Sequence, residues 1–122
     1  MNENLCDRLF KFAVRTLKFL PMLPKTPEFQ VVRYQLAKSS TSSGGNYEES
    51  QAGSSKADFN NKVRISLREM RESNYWLRII KAIHEQLDNS TELDFLLPES
   101  EELKRILGSI VSKTNQQDKR KK

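Results

Sequence analysis

Apolar side chains recur every three or four positions along most of this chain, and their register predicts four helices. In the first, Leu5, Leu9, Phe12, Thr16 and Leu20 share one face, and Pro21 and Pro24 close the run, so a helix is expected over about residues 4–20. The second opens on Thr26-Pro27-Glu28: a hydroxyl that can cap the first amides, a proline suited to the first helical position, and an acid at the positive end of the dipole. Its seam, Phe29, Val32, Leu36, Ser39, Ser43, Asn46, Ser50 and Gly53, predicts a helix over about 27–53.

The third helix starts at the cap Ser55, with Asp58 three residues on in a capping-box-like arrangement. Its seam of Phe59, Val63, Ser66, Met70, Ser73, Leu77, Ile80, His84 and Leu87 alternates steps of 4 and 3 and predicts about 56–88. Turn signals then fill DNSTELDFLLPES, and Ser100 reads as the cap of a fourth helix over about 100–112, carried by Leu103, Ile106, Leu107, Ile110 and Val111. After Ser112 the apolar residues stop, so 113–122 reads as a disordered basic tail behind a bundle of residues 1–112. The expected fold is all-α, an up-down-up-down four-helix bundle.

One stretch conflicts with its own seam. On local propensity STSSGGNYEESQAGSS is a flexible linker, since Gly and Ser both weaken a helix. The opposing reading is a helix whose small residues let a neighbour approach closely, with Ser66 and Ser73 of the third helix facing its serines and with Asn46 and Glu49 hydrogen-bonded inside the bundle. Periodicity leaves both open.

Composition narrows the classes. A chain of 122 residues supports one modest core. With 36% hydrophobic residues, 30% charged residues and a mean hydropathy of −0.71, it is polar for a lone monomer and ordinary for a bundle or an oligomer subunit. The single Cys6 cannot form an internal disulfide, which suits a reducing compartment. There is no apolar run of the ~18–20 residues a membrane span needs, and Glu3 and Asp7 stand where a secretory signal would be basic. A cytoplasmic protein without a membrane partner is expected.

The net charge of +5 is segregated: residues 1–81 carry a surplus of +6, residues 82–112 of −5, and residues 113–122 of +4. Within the first zone, Arg64, Arg68, Arg71, Tyr75 and Arg78 form one stripe of the third helix, away from its seam. Arg8, Lys11, Arg15 and Lys18 form another on the first helix. Guanidinium groups hold phosphates bidentately and an aromatic ring stacks on a base, so these nine residues are the candidate site for RNA or DNA. The alternative is a solvated face, or ion pairs with the acidic fourth helix across subunit contacts.

No nucleophile-base arrangement, phosphate-cradling glycine loop or metal spacing is found, so neither an enzyme nor a cofactor is expected. Glu69 and Glu72 lack the Glu-x-x-His partners of a di-metal bundle, because Lys81 stands three residues before the single His84. An orienting network with Asn46, or a salt bridge to Arg68, is the simpler role for them. Trp76 reads as a core or interface residue.

Residues 5–112 carry a family resemblance. Gln35, Leu36, Lys38, Ser39, Ser40 and Ser42, then Asn46 and Glu49, then Lys62, Glu69, Glu72, Tyr75, Trp76 and Leu77 resemble the pattern of the four-helix-bundle proteins encoded in 23S rRNA intervening sequences. The resemblance implies that 35–53 is helical and that subunits close into a ring, a homopentamer. It also implies kinship with the accessory protein of diversity-generating retroelements, which associates with nucleic acid and a reverse transcriptase, so that enzyme is an implied partner class. The chain departs from the family pattern at Gly44-Gly45 and at Ser50.

Overall fold

The computed structural model describes residues 4–53, 55–84 and 91–120, with side chains to residue 117. They form four helices: α1 (Leu5–Phe19), α2 (Pro27–Ser50), α3 (Lys56–Ile83) and α4 (Thr91–Arg120), with a 3-10 turn at Leu20–Met22. Each helix packs antiparallel on its chain neighbours, and α4 closes against α1, giving an up-down-up-down four-helix bundle.

The starts follow the capping chemistry. Asn4 accepts from the Asp7 amide at 2.8 Å, Thr26 from Phe29 at 3.5 Å, and Ser55 from Asp58 at 3.1 Å, each satisfying an otherwise unpaired amide. Between α1 and α2, buried Leu23 plugs the bundle end while Arg33 donates to the Pro24 carbonyl at 2.7 Å and holds the crossing.

The core is one cluster. Leu9, Phe12 and Phe19 of α1, Leu36 of α2, Val63, Met70, Leu77 and Ile80 of α3, and Leu96, Leu103 and Leu107 of α4 are all buried. Each fully buried apolar side chain contributes about 1.5–3 kcal/mol against chain entropy.

The serine-rich stretch is helical. Ser39 and Ser73 share a hydrogen bond at 2.8 Å; one helical step on, Ser43 donates to the Ser66 carbonyl at 2.8 Å and Ser66 to the Ser43 carbonyl at 2.7 Å. All four are buried, and their hydroxyls bond across the α2–α3 contact, with Ser39 also reaching the Leu36 carbonyl of its own helix at 3.4 Å. Gly44 is also buried; a Cβ there would stand 3.5 Å from Leu9 Cβ, so α1 lies directly against the α2 backbone.

Four expected boundaries are corrected. α2 ends at Ser50 rather than near 53, because Gly53 takes a left-handed φ of 82° and the Gln51 and Ala52 amides fold back onto Glu48 and Glu49. α3 ends at Ile83, capped by His84, whose ring meets Phe29 edge-on at 5.4 Å; the expected extension to 88, with Leu87, lies outside the described residues. α4 begins at Thr91, nine residues before the expected cap. Ser100 lies within the helix: Pro98, beside it, removes one amide, but both Pro98 and Asp94, whose carbonyl loses that partner, are exposed where water can substitute. α4 also continues through the stretch read as a disordered tail: Thr114 is buried, and Asn115 accepts from Arg64 at 2.6 Å.

Candidate nucleic-acid interface

On α3 the seam turns inward, and the next stripe round turns out. Arg64, Arg68, Arg71, Tyr75 and Arg78 are all exposed, on one side of one continuous helix. Two of the charges, those of Arg68 and Arg71, are only lightly engaged. Arg68 lies 3.8 Å from Glu69 with 71% of its side chain exposed, and Arg71 has no carboxylate partner among the described residues. Arg64 donates to the Asn115 side-chain oxygen of α4 at 2.6 Å.

Arg78 is positioned from inside the bundle. Its Nε donates to Asn74 Oδ1 at 3.0 Å, and Asn74, 1% exposed, donates in turn to Ser100 Oγ at 2.9 Å, which bonds the Leu97 carbonyl at 2.8 Å. This α3–α4 relay leaves the outer guanidinium nitrogens of Arg78 pointing away from the bond that fixes it. The Arg78 guanidinium lies 5.7 Å from the Tyr75 ring centroid, within cation–π range. Tyr75 meets Trp76 edge-on at 5.4 Å, and Trp76 donates weakly to Glu72 at 3.4 Å.

The stripe on α1 divides into two kinds of residue. Arg8 forms a fork on Glu99, at 2.7 and 3.2 Å, and reaches Glu102 at 3.3 Å; Arg15 forks onto Glu92 at 2.8 and 3.1 Å and lies 3.5 Å over the Phe95 ring. The bonds to Glu99 and to Glu92 raise the Arg8 and Arg15 pKa values above the ordinary, and the Arg15 bond lowers that of Glu92. Lys11 and Lys18 are exposed. The acidic zone of the sequence thus meets the first helix within the same chain, and two of the four α1 cations hold the bundle closed.

Glu69 and Glu72 of α3 are half-buried. Glu69 retains 12% exposure, and burial, then the neighbouring Glu72, raises its pKa, opposed by Arg68 and Lys38. Asn46 does not join them: its amide donates back to Ser42, at 2.9 Å to the carbonyl and 3.1 Å to the hydroxyl. The expected network with Asn46 is therefore replaced by the Trp76–Glu72 bond and the Arg68–Glu69 contact. No three His, Cys, Asp or Glu residues converge as metal ligands among the described residues. Burial, followed by Glu48 and Asp7, raises the Cys6 pKa, which favours the neutral thiol over the nucleophilic thiolate. No described helix is long and apolar enough to cross a membrane.

Sequence reasoning missed the Asn74–Ser100–Arg78 relay. Its signal was present: Asn74 follows buried Leu67 at a heptad interval, a core-facing position where a polar side chain needs a partner.

No curated protein matches the chain. A solved structure from Bacteroides thetaiotaomicron VPI-5482, described as a protein of unknown function from the S23 ribosomal protein family, is similar at 30% identity. The superposition has a TM-score of 0.74 and covers 88% of this chain and 98% of that one. The family model described as 23S rRNA-intervening sequence protein matches residues 2–109, nearly the whole bundle including both basic stripes and the serine contact, and the chain belongs to that family.

Proposed function

We propose that this protein is a non-enzymatic, oligomeric helical bundle that binds nucleic acid, RNA or DNA, through the exposed face of α3. The observation that carries this reading is the row Arg64, Arg68, Arg71 and Arg78, exposed on one helix with Tyr75 among them, while the acidic residues Glu92, Glu99 and Glu102 are occupied by Arg8 and Arg15. Arg8 and Arg15 act as bundle cations, and Lys11 and Lys18 stand exposed on α1, which packs on α2 and α4 rather than beside α3.

Assembly belongs to the same reading. Phe10, Met22, Val31 and Tyr34 are each more than half exposed, apolar side chains that contacts between copies of the chain would cover. In the homopentameric ring that the family resemblance implies, a weak site repeated around the ring gains affinity by multivalency.

The test is binding of RNA and DNA oligonucleotides as a function of salt, on protein whose mass is known from light scattering. Affinity should fall by about 0.7–0.9 log units per log unit of salt for each phosphate neutralised. The double change Arg68→Glu and Arg71→Glu should abolish binding with the mass unchanged. Loss of the oligomer in that variant would instead assign the stripe to contacts between subunits, and absence of binding at low salt would reject the nucleic-acid reading.

A further inference from the structure

Building on the proposed nucleic-acid role of α3, we infer that its ligand is single-stranded, and that the Tyr75–Arg78 pair is the element that stacks on an unpaired base. The inference starts from where the row of arginines is interrupted. Arg64, Arg68 and Arg71 follow one another at rises of about 6 and about 4.5 Å, whereas Arg71 and Arg78 are about 10.5 Å apart along the axis, with Tyr75 in the gap. A surface that only tracked phosphates would be served by a further cation at that place. The tyrosine presents instead a half-exposed ring, 48% accessible, in the middle of the charged row.

The ring is held on several sides. Trp76 meets it edge-on at 5.4 Å and is itself tied to Glu72, and the Arg78 guanidinium lies 5.7 Å from its centroid, fixed through Asn74, which is 1% exposed, to Ser100 of α4. A buried amide thus orients an exposed cation–aromatic pair. Such a pair offers a base two flat surfaces, ring and guanidinium, at low cost in side-chain entropy. Stacking of this kind is available to a strand whose bases can turn outward and is denied to a duplex, whose bases are already stacked on one another. The whole row, about 21 Å from Arg64 to Arg78, matches a segment of a few nucleotides.

The test uses fluorescence anisotropy at about 50 mM salt. The probes are labelled oligothymidylate and oligouridylate about ten nucleotides long, a duplex of equal length, and an abasic strand of equal length and charge. The intact protein should bind the single strands more tightly than the duplex. Tyr75→Ala should lower single-strand affinity between about fivefold and about a hundredfold and leave duplex affinity unchanged. Tyr75→Phe should retain it, and the abasic strand should bind intact protein and Tyr75→Ala alike.

If Tyr75→Ala and the abasic strand leave affinity unchanged while the Arg68→Glu and Arg71→Glu double variant abolishes it, stacking is overturned and the electrostatic face survives. A duplex bound more tightly than the single strands also overturns the inference. If the intact protein binds none of the probes, the nucleic-acid reading itself fails. Because the abasic strand tests stacking on unaltered protein, the outcome does not depend on how well any variant folds.

Discussion

Ser43 and Ser66 each donate a side-chain hydroxyl to the other's backbone carbonyl, at 2.8 and 2.7 Å, across the contact between α2 and α3. Reciprocal bonds to carbonyls require the two backbones to come close, which only small side chains permit. Both residues are 0% exposed, so neither hydroxyl has water as an alternative partner. Ser66→Leu should therefore force the helices apart and cost about 1–3 kcal/mol or more by overpacking. Ser66→Ala keeps the approach and loses one hydrogen bond, about 1 kcal/mol. Thermal unfolding of the two variants checks the order: Leu well below Ala, and Ala below the parent.

Gly44 and Gly45 are adjacent in α2 but differ in surroundings. A Cβ on Gly45 meets nothing within 4 Å, whereas one on Gly44 meets Leu9 at 3.5 Å, ordinary contact distance. Neither has a left-handed backbone. Gly45→Ala should stabilise the protein by about 0.5–1 kcal/mol through the unfolded chain and helix propensity alone. A rise of about 2–4 °C in Tm is the expected readout, and a fall would show that α2 needs its glycine for a reason other than space.

The seam residues of α1, α2 and α3 were legible because their burial follows a 3-4 spacing that sequence displays directly. The serine-rich half of α2 was not: its propensity favours a linker, and the bonds that outweigh propensity lie on α3, 23 and 34 residues away. α4 was misread for a related reason. Pro98 and Asp94 imitate a turn, yet Leu93 and Leu96 are buried beside the rest of the core, so tertiary packing holds a helix through the proline. In the candidate site the stripe was visible as a spacing, but spacing cannot distinguish a cation with a partner from one without. That Arg8 and Arg15 face Glu99 and Glu92 follows from α4 starting at Thr91, the boundary sequence placed nine residues late.

Glu69 supplies a pH dependence of definite sign. Burial lifts its folded-state pKa, helped by Glu72 and opposed by Arg68 and Lys38, while in the unfolded chain it titrates near ~4.3. A raised carboxylate gives stability that is fully present below the unfolded value and is lost as pH rises through the folded one. At pH ~7 the charged form is therefore a liability, and Glu69→Gln, which keeps the shape, should be more stable than the parent. At pH ~4 the difference should vanish. Denaturant unfolding at the two pH values measures it; an equal effect at both would mean that Glu69 acts through packing rather than charge.

Arg8 and Arg68 are chemically alike and placed for opposite jobs, so their substitutions should separate stability from binding. Arg8 is 23% exposed and forks onto Glu99, itself 16% exposed; Arg8→Ala removes the fork and strands that carboxylate between α1 and α4. The expected cost is about 1–2 kcal/mol, with nucleic-acid affinity close to the parent's. Arg68 is 71% exposed and only 3.8 Å from its nearest acid, so Arg68→Ala should leave the unfolding midpoint almost unmoved while reducing affinity and the salt slope by about one phosphate. Arg15–Glu92 adds a pH signature to the first class. Glu92 is depressed by its bond to Arg15, so its contribution is present above the unfolded carboxylate value and lost as pH falls through the folded one. Arg15→Met should thus flatten acid unfolding without touching binding. If instead Arg8→Ala weakens nucleic-acid binding as strongly as Arg68→Ala at equal helicity, the α1 stripe contacts the ligand despite its ion pairs.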